Sequence, residues 1–401
     1  MTPKKQKISL KHILLHNDNW IKFYDIYKDI IRPGITIAID KLLACKTTIL
    51  GYKTLQCQNR NCQTKKIIPH TCKSKACSSC GRKATDTWIQ KQMIKLPHTQ
   101  WQHITFTLPK VFRDFFWCNR HLFQKITKIA AECLLMQAKK KDLHIGIFTA
   151  LHSFGSQLNR NVHVHLSTTA QGLTDDGSQL KSIFFPKNAL MSRWRAKILA
   201  LFRTEFKKGT LIIPPKLHKE LNHSYTFEDL LRKLARIDWI INCGKKQSSQ
   251  KNNVEYLGRY IKRPPIAESR LSHYDGNIVR FQYLNRKTGL KEIKTLHPFE
   301  FIARFIRHIP DKGFRMIRYY GFLSNRLCGK ILPKVFALLP SRPLLKLFKT
   351  SYFSLMSRSF GVHVMSCTVC QSPLSVIGRC FGKGYSGYSI CLHQSVIQKA
   401  S

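Results

Sequence analysis

Two rhythms of apolar and polar residues run along this chain, and each change of rhythm marks a change of element. In NWIKFYDIYKDII (19–31), Trp20, Phe23, Tyr24, Tyr27 and Ile31 recur at helical spacing, which predicts a helix burying one stripe. Arg32-Pro33-Gly34 breaks it, and a second short helix is expected over 35–44. RKATDTWIQKQM, after residue 81, reads as a helix. WQHITFTLP (101–109) is β-branched and ends at Pro109, which predicts a strand. A helical stretch over 111–140 follows. Strands are then expected at HIGIFTALHSF (144–154) and NVHVHLSTTA (161–170), joined by the loop Gly155–Arg160. GLTDDGS reads as a turn.

Helices are expected at 188–207 and 227–236. Thr226 with Asp229 three residues on predicts a capping-box start for the second. IDWIIN (237–242) reads as a strand and CGKKQSSQKNN (243–253) as a polar loop. VEYLGRYIKRPP reads as a helix that must end near Lys262, because Pro264 and Pro265 cannot continue it and Pro264 disfavours helix at Arg263. NIVRFQYL and LKEIKTL predict a hairpin turning through Asn285–Gly289, and HPFEFIARFIRHIP an amphipathic helix. Beyond residue 325 the chain is basic and weakly patterned. There is no internal repeat.

Charge narrows the partner. Of 401 residues, 68 are Lys or Arg against 21 Asp or Glu, a formal net charge of +47. Such a chain repels itself unless a polyanion neutralises it, and nucleic acid is the natural partner because each Lys or Arg meeting a phosphate releases a counterion. At 43% hydrophobic residues it can bury a core, and its length suits two or three domains. No apolar run approaches the roughly 20 residues that span a bilayer. The apolar piece of MTPKKQKISLKHILLHND is too short for a secretion signal. A soluble, cytoplasmic chain is expected, with no membrane partner, and its 14 cysteines are then not a disulfide framework.

Five cysteines crowd into 24 residues: Cys57, Cys62, Cys72, Cys77 and Cys80, with His70 beside them. Cys57-x4-Cys62 and Cys77-x2-Cys80 are spaced to close a tetrahedral Zn²⁺ site, from which a short segment gains folding free energy. The expected ligands are Cys57, Cys62, Cys77 and Cys80, with Cys72 or His70 as substitutes. No general base accompanies them, so the site reads as structural. A late pair, Cys367-x2-Cys370, is a weaker signal that two ordinary thiols explain as well.

In RNVHVHLS (160–167), His163 and His165 share one face of a predicted strand while Val162, Val164 and Leu166 share the other. An isolated pair of this kind is most often just polar residues on a half-buried strand. Here three functional readings suit it: divalent-metal ligands, an acid and a base, or platforms for bases. A metal held by two imidazoles with open positions suits phosphoryl chemistry. His152, on the preceding strand, is the candidate third ligand. In EYLGRYIKR, Tyr256 and Tyr260 stand at i and i+4, one turn apart on a helix, with Arg259, Lys262 and Arg263 close by. A phenol with pKa near 10 is a poor nucleophile, but neighbouring cations favour the phenolate.

The series CQNRNCQTKKIIPHTCKSKACSSC, HVH and YLGRY resembles the rolling-circle insertion-sequence transposases of the HUH endonucleases, specifically the two-tyrosine type of the insertion-sequence ninety-one family. HITFTLP, ALHSFGSQLNRNVHVHL, YLGRYIKRPPIAESRL and FIRHIPDKGFRMIRYYGFL extend the resemblance over about residues 35–326. It implies an α+β fold: an antiparallel-sheet HUH core of ferredoxin or RRM-like type, with an N-terminal zinc-binding module and a basic C-terminal region. The implied domains are 1–95 (N-terminal helices and zinc module), 96–326 (catalytic) and 327–401 (basic tail). It further implies that His163 and His165, with His152 as third ligand, bind Mg²⁺ or Mn²⁺. Tyr256 and Tyr260 would form 5′-phosphotyrosine links to single-stranded DNA, Arg259, Lys262 and Arg263 would bind DNA, and Zn²⁺ would be structural. A replication initiator with the same chemistry, or a non-catalytic zinc-containing nucleic-acid-binding protein, are the competing readings.

Overall fold

The computed structural model describes residues 8–218, 226–247, 254, 255, 258, 264–285, 288–339 and 352–382. Helices α1 (Leu10–Leu15), α2 (Asn19–Tyr27) and α3 (Pro33–Leu43) open the chain. The stripe foreseen over 19–31 continues past α2 as a single 3₁₀ turn, and Pro33 starts α3 where its missing N–H costs nothing. A hairpin of β1 (Gly51–Cys57) and β2 (Lys65–Pro69) leads to α4 (Ser78–Lys95).

The central sheet starts with β3 (Trp101–Thr107). The helical stretch that follows is two helices, α5 (Lys110–Cys118) and α6 (Leu122–Lys139). Asn119 makes the break. Its fully buried amide donates to the carbonyls of Phe115 (2.9 Å) and Ile212 (2.7 Å) and accepts from the Ile212 N–H (2.8 Å), so its side chain takes over bonds that a continuing helix would make. A short β4 (Leu143–His144) precedes β5 (Gly146–Phe154) and β6 (Arg160–Thr169). Next come β7 (Gln171–Thr174), β8 (Leu180–Ser182), α7 (Lys187–Lys207) and α8 (Phe227–Arg236). At the start of α8 the capping box is complete: the Asp229 N–H donates to Thr226 Oγ1 (3.2 Å) and the Thr226 N–H to the Asp229 carboxylate (3.1 Å).

The strand expected over 237–242 begins later, as β9 (Ile241–Gln247), and runs into the segment expected to be loop. Trp239 is buried, and its indole donates to the Leu234 carbonyl (2.9 Å), which ties the chain to the end of α8 before the strand can start. A three-stranded sheet of β10 (Leu271–Tyr274), β11 (Val279–Leu284) and β12 (Lys291–Leu296) contains the foreseen hairpin and precedes the amphipathic α9 (Pro298–Arg307). The last elements are β13 (Ile317–Gly321), α10 (Cys328–Ala337), α11 (Tyr352–Phe360) and β14 (Leu374–Phe381).

The protein is mixed α+β with antiparallel sheets. The largest has the order β13-β5-β6-β3-β9, every neighbouring pair antiparallel. One face is the main core: Ile104, Phe106, Leu151, Val162, Val164 and Leu166 meet α5 to α8. There Phe202 lies at the centre of an aromatic cluster, with ring centroids 4.5 Å from Phe112 and 5.4 Å from both Phe115 and Phe116. The opposite face is covered by α4, through Trp88 and Ile89, together with Val254, Phe322 and Leu323. Because both faces are covered, β5 is buried along nearly its whole length instead of alternating. A second core joins distant parts of the chain: Trp20, Phe23 and Ile39 of the first helices pack with Phe281, Phe301 and Phe305. The tail expected to be unpatterned returns to the start, for β14 pairs antiparallel with β1 from Gly51↔Phe381 to Cys57↔Leu374.

The aromatic cluster gives a stability prediction. Phe202→Ala leaves a cavity that three other rings cannot fill, and is expected to cost about 3–5 kcal/mol. A urea titration should show the midpoint fall with the slope unchanged.

Candidate active site and metal centres

Strand register builds the histidine face. Across β5 and β6, His152 lies opposite His163. His165 lies opposite Ala150 on β5 and Thr105 on β3. Side chains alternate along each strand, so His103, Thr105, His152, His163 and His165 all project from the face away from the main core. The ring nitrogens of His152, His163 and His165 converge within 4.8 Å of one another, and all three rings are buried. The Nε2 atoms of His163 and His165 are 3.1 Å apart. His163 Nδ1 donates to the Asn161 carbonyl (2.8 Å), which fixes the tautomer and leaves the Nε2 lone pair aimed inward. Imidazole nitrogens facing one another at this distance repel unless a proton or a cation stands between them, so the donor set fits a divalent metal.

His103, which the sequence reading passed over, extends this group. Its Nε2 lies 3.1 Å from His165 Nδ1, and Thr105 Oγ1 lies within 3.4 Å of both rings. Burial, and secondarily the charge on His152, pushes the His103 imidazole down to about 4, so at neutral pH it is an uncharged partner. The alternation of His103, Thr105 and Thr107 in WQHITFT was the available signal; it matches that of VHVHL on the neighbouring strand.

Tyr256, Tyr260, Arg259, Lys262 and Arg263 lie outside the described residues. Two nearby residues of the chain, Val254 and Gly258, are described. Val254 is fully buried among Ala150, Phe148 and Trp88, on the histidine side of the sheet. Gly258 runs so close to α4 that a Cβ there would meet Ile89 Cγ1 at 2.7 Å. Tyr256 lies between these two residues in the chain.

The cysteines form two clusters, which corrects the single set expected from their spacing. Cys57 and Cys62 do not meet Cys77 and Cys80. The reason is the hairpin between them: five residue pairs, from Gln56↔Lys65 to Tyr52↔Pro69, separate its two ends by about 14 Å. At one end Cys72, Cys77 and Cys80 meet Cys45, which the spacing argument did not include. At the other, Cys57 and Cys62 meet Cys367 and Cys370. His70 joins neither group; its Nδ1 donates to the Leu50 carbonyl (3.1 Å).

In the first cluster all four cysteines are buried, and sulfur separations include Cys45–Cys77 and Cys72–Cys80 at 3.6 Å and Cys45–Cys80 at 3.8 Å. A tetrahedron with Zn–S bonds of about 2.3 Å has edges of about 3.8 Å, so the thiols fit the ion. Backbone N–H groups of Cys72 and Ser74 donate to the sulfurs of Cys45 and Cys72 (3.5 and 3.4 Å). Cys77 caps α4 and Cys80 lies in its first turn, where the helix dipole favours thiolate. Hydrogen bonds from neighbouring thiols, Cys72 foremost, lower Cys45 to about 7. Lys11 and Lys83, both shifted down by burial, feel the charge of this cluster.

Near the start of β6, a cavity of about 690 Å³ is lined by Arg32, Arg120, Arg160 and Arg307 together with Trp117 and Phe299. Burial, then the neighbouring Arg32, pushes Arg120 down to about 9. The cavity sets four arginines among mainly apolar side chains, with Arg120 5.1 Å from the Trp117 ring; Arg32 and Arg120 pair with Asp311 and Arg160 with Asp114.

Two family models match the chain: a transposase zinc-binding domain over residues 16–108 and a putative transposase domain over 146–330. The chain is similar to the transposase for insertion sequence element IS801 of Pseudomonas savastanoi pv. phaseolicola, 39% identical over 395 residues that cover 97% of this chain and 94% of the relative. It is also similar to the putative transposase y4qJ of Sinorhizobium fredii (strain NBRC 101917 / NGR234), 29% identical over 70% of this chain and 72% of the relative. No solved structure matches. Among the described residues, no helix is long and apolar enough to cross a membrane.

All four zinc-fitting thiols of the first cluster fall inside the zinc-binding match. Cys45→Ser is accordingly expected to lose one zinc per chain, measured by elemental analysis of the purified protein. An unchanged zinc content would exclude Cys45 as a ligand.

Proposed function

We propose that this chain, which belongs to the IS91 family of transposases and is thereby a DNA endonuclease and strand transferase, cuts and rejoins single DNA strands through 5′-phosphotyrosine links in rolling-circle fashion. The observation that carries this reading is the convergence of His152, His163 and His165 on a sheet face whose cover includes Val254 and Gly258, the residues that bracket Tyr256. An antiparallel sheet carrying His-Val-His on its central strand is also what a HUH nuclease core requires.

In this reading the three imidazoles hold Mg²⁺ or Mn²⁺, which when bound polarises the scissile phosphate and offsets charge developing in the transition state. The Asn161 carbonyl accepts from His163 Nδ1 and so turns the His163 Nε2 toward His152 and His165. His103 and Thr105 orient His165 from behind, the part that outer partners of metal-bound histidines play. The oxygen of Tyr256 or Tyr260 attacks phosphorus. A Tyr–O–P bond forms, the bond to the 3′-oxygen breaks, and that oxygen leaves as a free 3′-hydroxyl after taking up a proton. The phosphodiester energy is kept in the new bond, so the reverse attack by a 3′-hydroxyl rejoins DNA without ATP. Two tyrosines allow two successive transfers, one holding a cut end while the other attacks.

Arg259, Lys262 and Arg263 are the proposed phosphate contacts beside the tyrosines. The arginine cavity next to β6 supports a path for single-stranded DNA, since aromatic faces and arginines suit stacked bases and phosphates alike. Cys45, Cys72, Cys77 and Cys80 hold a structural zinc that organises the N-terminal module (1–95) against the catalytic region (96–326), and the protein works in the cytoplasm, where its DNA lies.

Incubation with single-stranded DNA containing the element ends and Mn²⁺ should give a detergent-resistant protein–DNA adduct. The Tyr256→Phe/Tyr260→Phe double variant should give none, and adduct at wild-type level in that variant would overturn the reading. His103→Ala should raise the Mn²⁺ concentration needed for half-maximal cleavage by about 10–100-fold while leaving the rate at saturating Mn²⁺ much less affected. An equal loss at every Mn²⁺ concentration would remove His103 from its positioning role.

A further inference from the structure

We propose that Cys57, Cys62, Cys367 and Cys370 form a second structural zinc site, which fastens the C-terminal segment to the N-terminal hairpin. Cys367 and Cys370 lie beyond both regions matched by the family models. Cys57 and Cys62 lie inside the zinc-binding match, so the site draws half its ligands from that region but shares none with the first cluster, and it is independent of the nuclease chemistry.

The argument begins with where the sulfurs meet. Cys57 and Cys370 are 3.4 Å apart and Cys62 and Cys367 3.8 Å apart, and all four ligand atoms lie within 4.8 Å of one another. These spacings match the edges of a zinc tetrathiolate, about 3.8 Å for bonds of about 2.3 Å. The two halves come from opposite ends of the chain, so a local cluster of ordinary thiols does not explain the meeting.

Each half is a tight turn that presents two thiols in one direction. In the first, Cys57 ends β1 with its N–H donating to Thr64 (3.0 Å), and the Cys62 N–H donates to Asn59 (2.9 Å). In the second, the Cys367 N–H donates to Ser372 (2.8 Å) and the Gln371 N–H to Cys367 (3.2 Å), while Gln371 takes a left-handed φ of +59°. The Val369 N–H points at the Cys367 sulfur (3.4 Å), as backbone donors do around a thiolate. The strand after this turn, β14, then adds to the open edge of β1.

The surrounding core is small. Leu55, Ile68, Val364 and Leu374 are its buried aliphatic members, and Phe353 and Met356 only partly cover it. So few side chains supply little against the ordering of a terminal segment, and small units of this kind are usually completed by a metal or a disulfide. A disulfide needs two thiols; four converging from two turns meet the full requirement of a zinc ion.

The full-length protein, purified with zinc and a thiol reductant, should contain two zinc ions per chain. Cys367→Ser/Cys370→Ser should contain one, and Cys45→Ser should contain the other. The wild type supplies a measurement that does not depend on a variant folding. Zinc should protect Cys367 and Cys370 from alkylation by iodoacetamide, followed by peptide mass, and removal of zinc with a chelator should expose both. One zinc per chain in the wild type, an unchanged zinc count in Cys367→Ser/Cys370→Ser, equal alkylation with and without zinc, or disulfides joining these four cysteines would each overturn the proposal.

Discussion

The antiparallel register of β5, β6 and β3 is the constraint on which the rest of the structure depends. It sets His163 opposite His152 and His165 opposite Thr105, and in the same act sends Val162, Val164 and Leu166 into the main core. A slip of one residue would exchange the two faces, burying imidazoles among phenylalanines and turning the valines toward the site. The helices that cover the apolar face thus hold the histidines in place, because the packing of α5 to α8 penalises every other register. The same burial keeps His103 uncharged behind His165.

The cysteine clusters solve a different problem. Around Cys57, Cys62, Cys367 and Cys370 the core is small, whereas Cys45, Cys72, Cys77 and Cys80 sit at the edge of the second core with Ile39, Leu42 and Leu43. The β1–β2 hairpin acts as a spacer with one cluster at each end. At one end Cys45 comes from the turn after α3 and Cys77 and Cys80 from the start of α4, so the first helices and α4 are tied together. Since α4 also covers the histidine face through Trp88 and Ile89, the cysteine cluster and the histidine face share a helix. The region matched as a zinc-binding domain and the region matched as a transposase domain are thus in direct contact through α4 in this chain.

The charge of the chain fits its family. A surplus of 47 positive charges would be a liability in an isolated fold, and transposition supplies the polyanion that offsets it. Part of the surplus is gathered rather than spread: Arg32, Arg120, Arg160 and Arg307 line one cavity with Trp117 and Phe299, and the acidic groups Asp311 and Asp114 reach Arg32, Arg120 and Arg160.

Local pattern by itself determined most elements of this protein. Helical spacing located α2, α7 and α9, the Thr226–Asp229 pair marked the start of α8, and His-Val-His announced two imidazoles on one face. These features depend on residues a few positions apart, whose relation the period of a helix or strand already fixes. Tertiary structure alone decided which distant residues meet. Cys57 and Cys62 looked like partners for Cys77 and Cys80 because they are near in sequence, but the hairpin holds the pairs apart and supplies Cys367, Cys370 and Cys45 instead. His103 becomes a neighbour of His165 only because β3 lies beside β6. Asn119, unremarkable in the sequence, splits a helix because the chain near Ile212 comes within reach of its amide. Spacing reports the geometry of one turn or one strand; strand pairing and the closing of the chain on itself set everything longer.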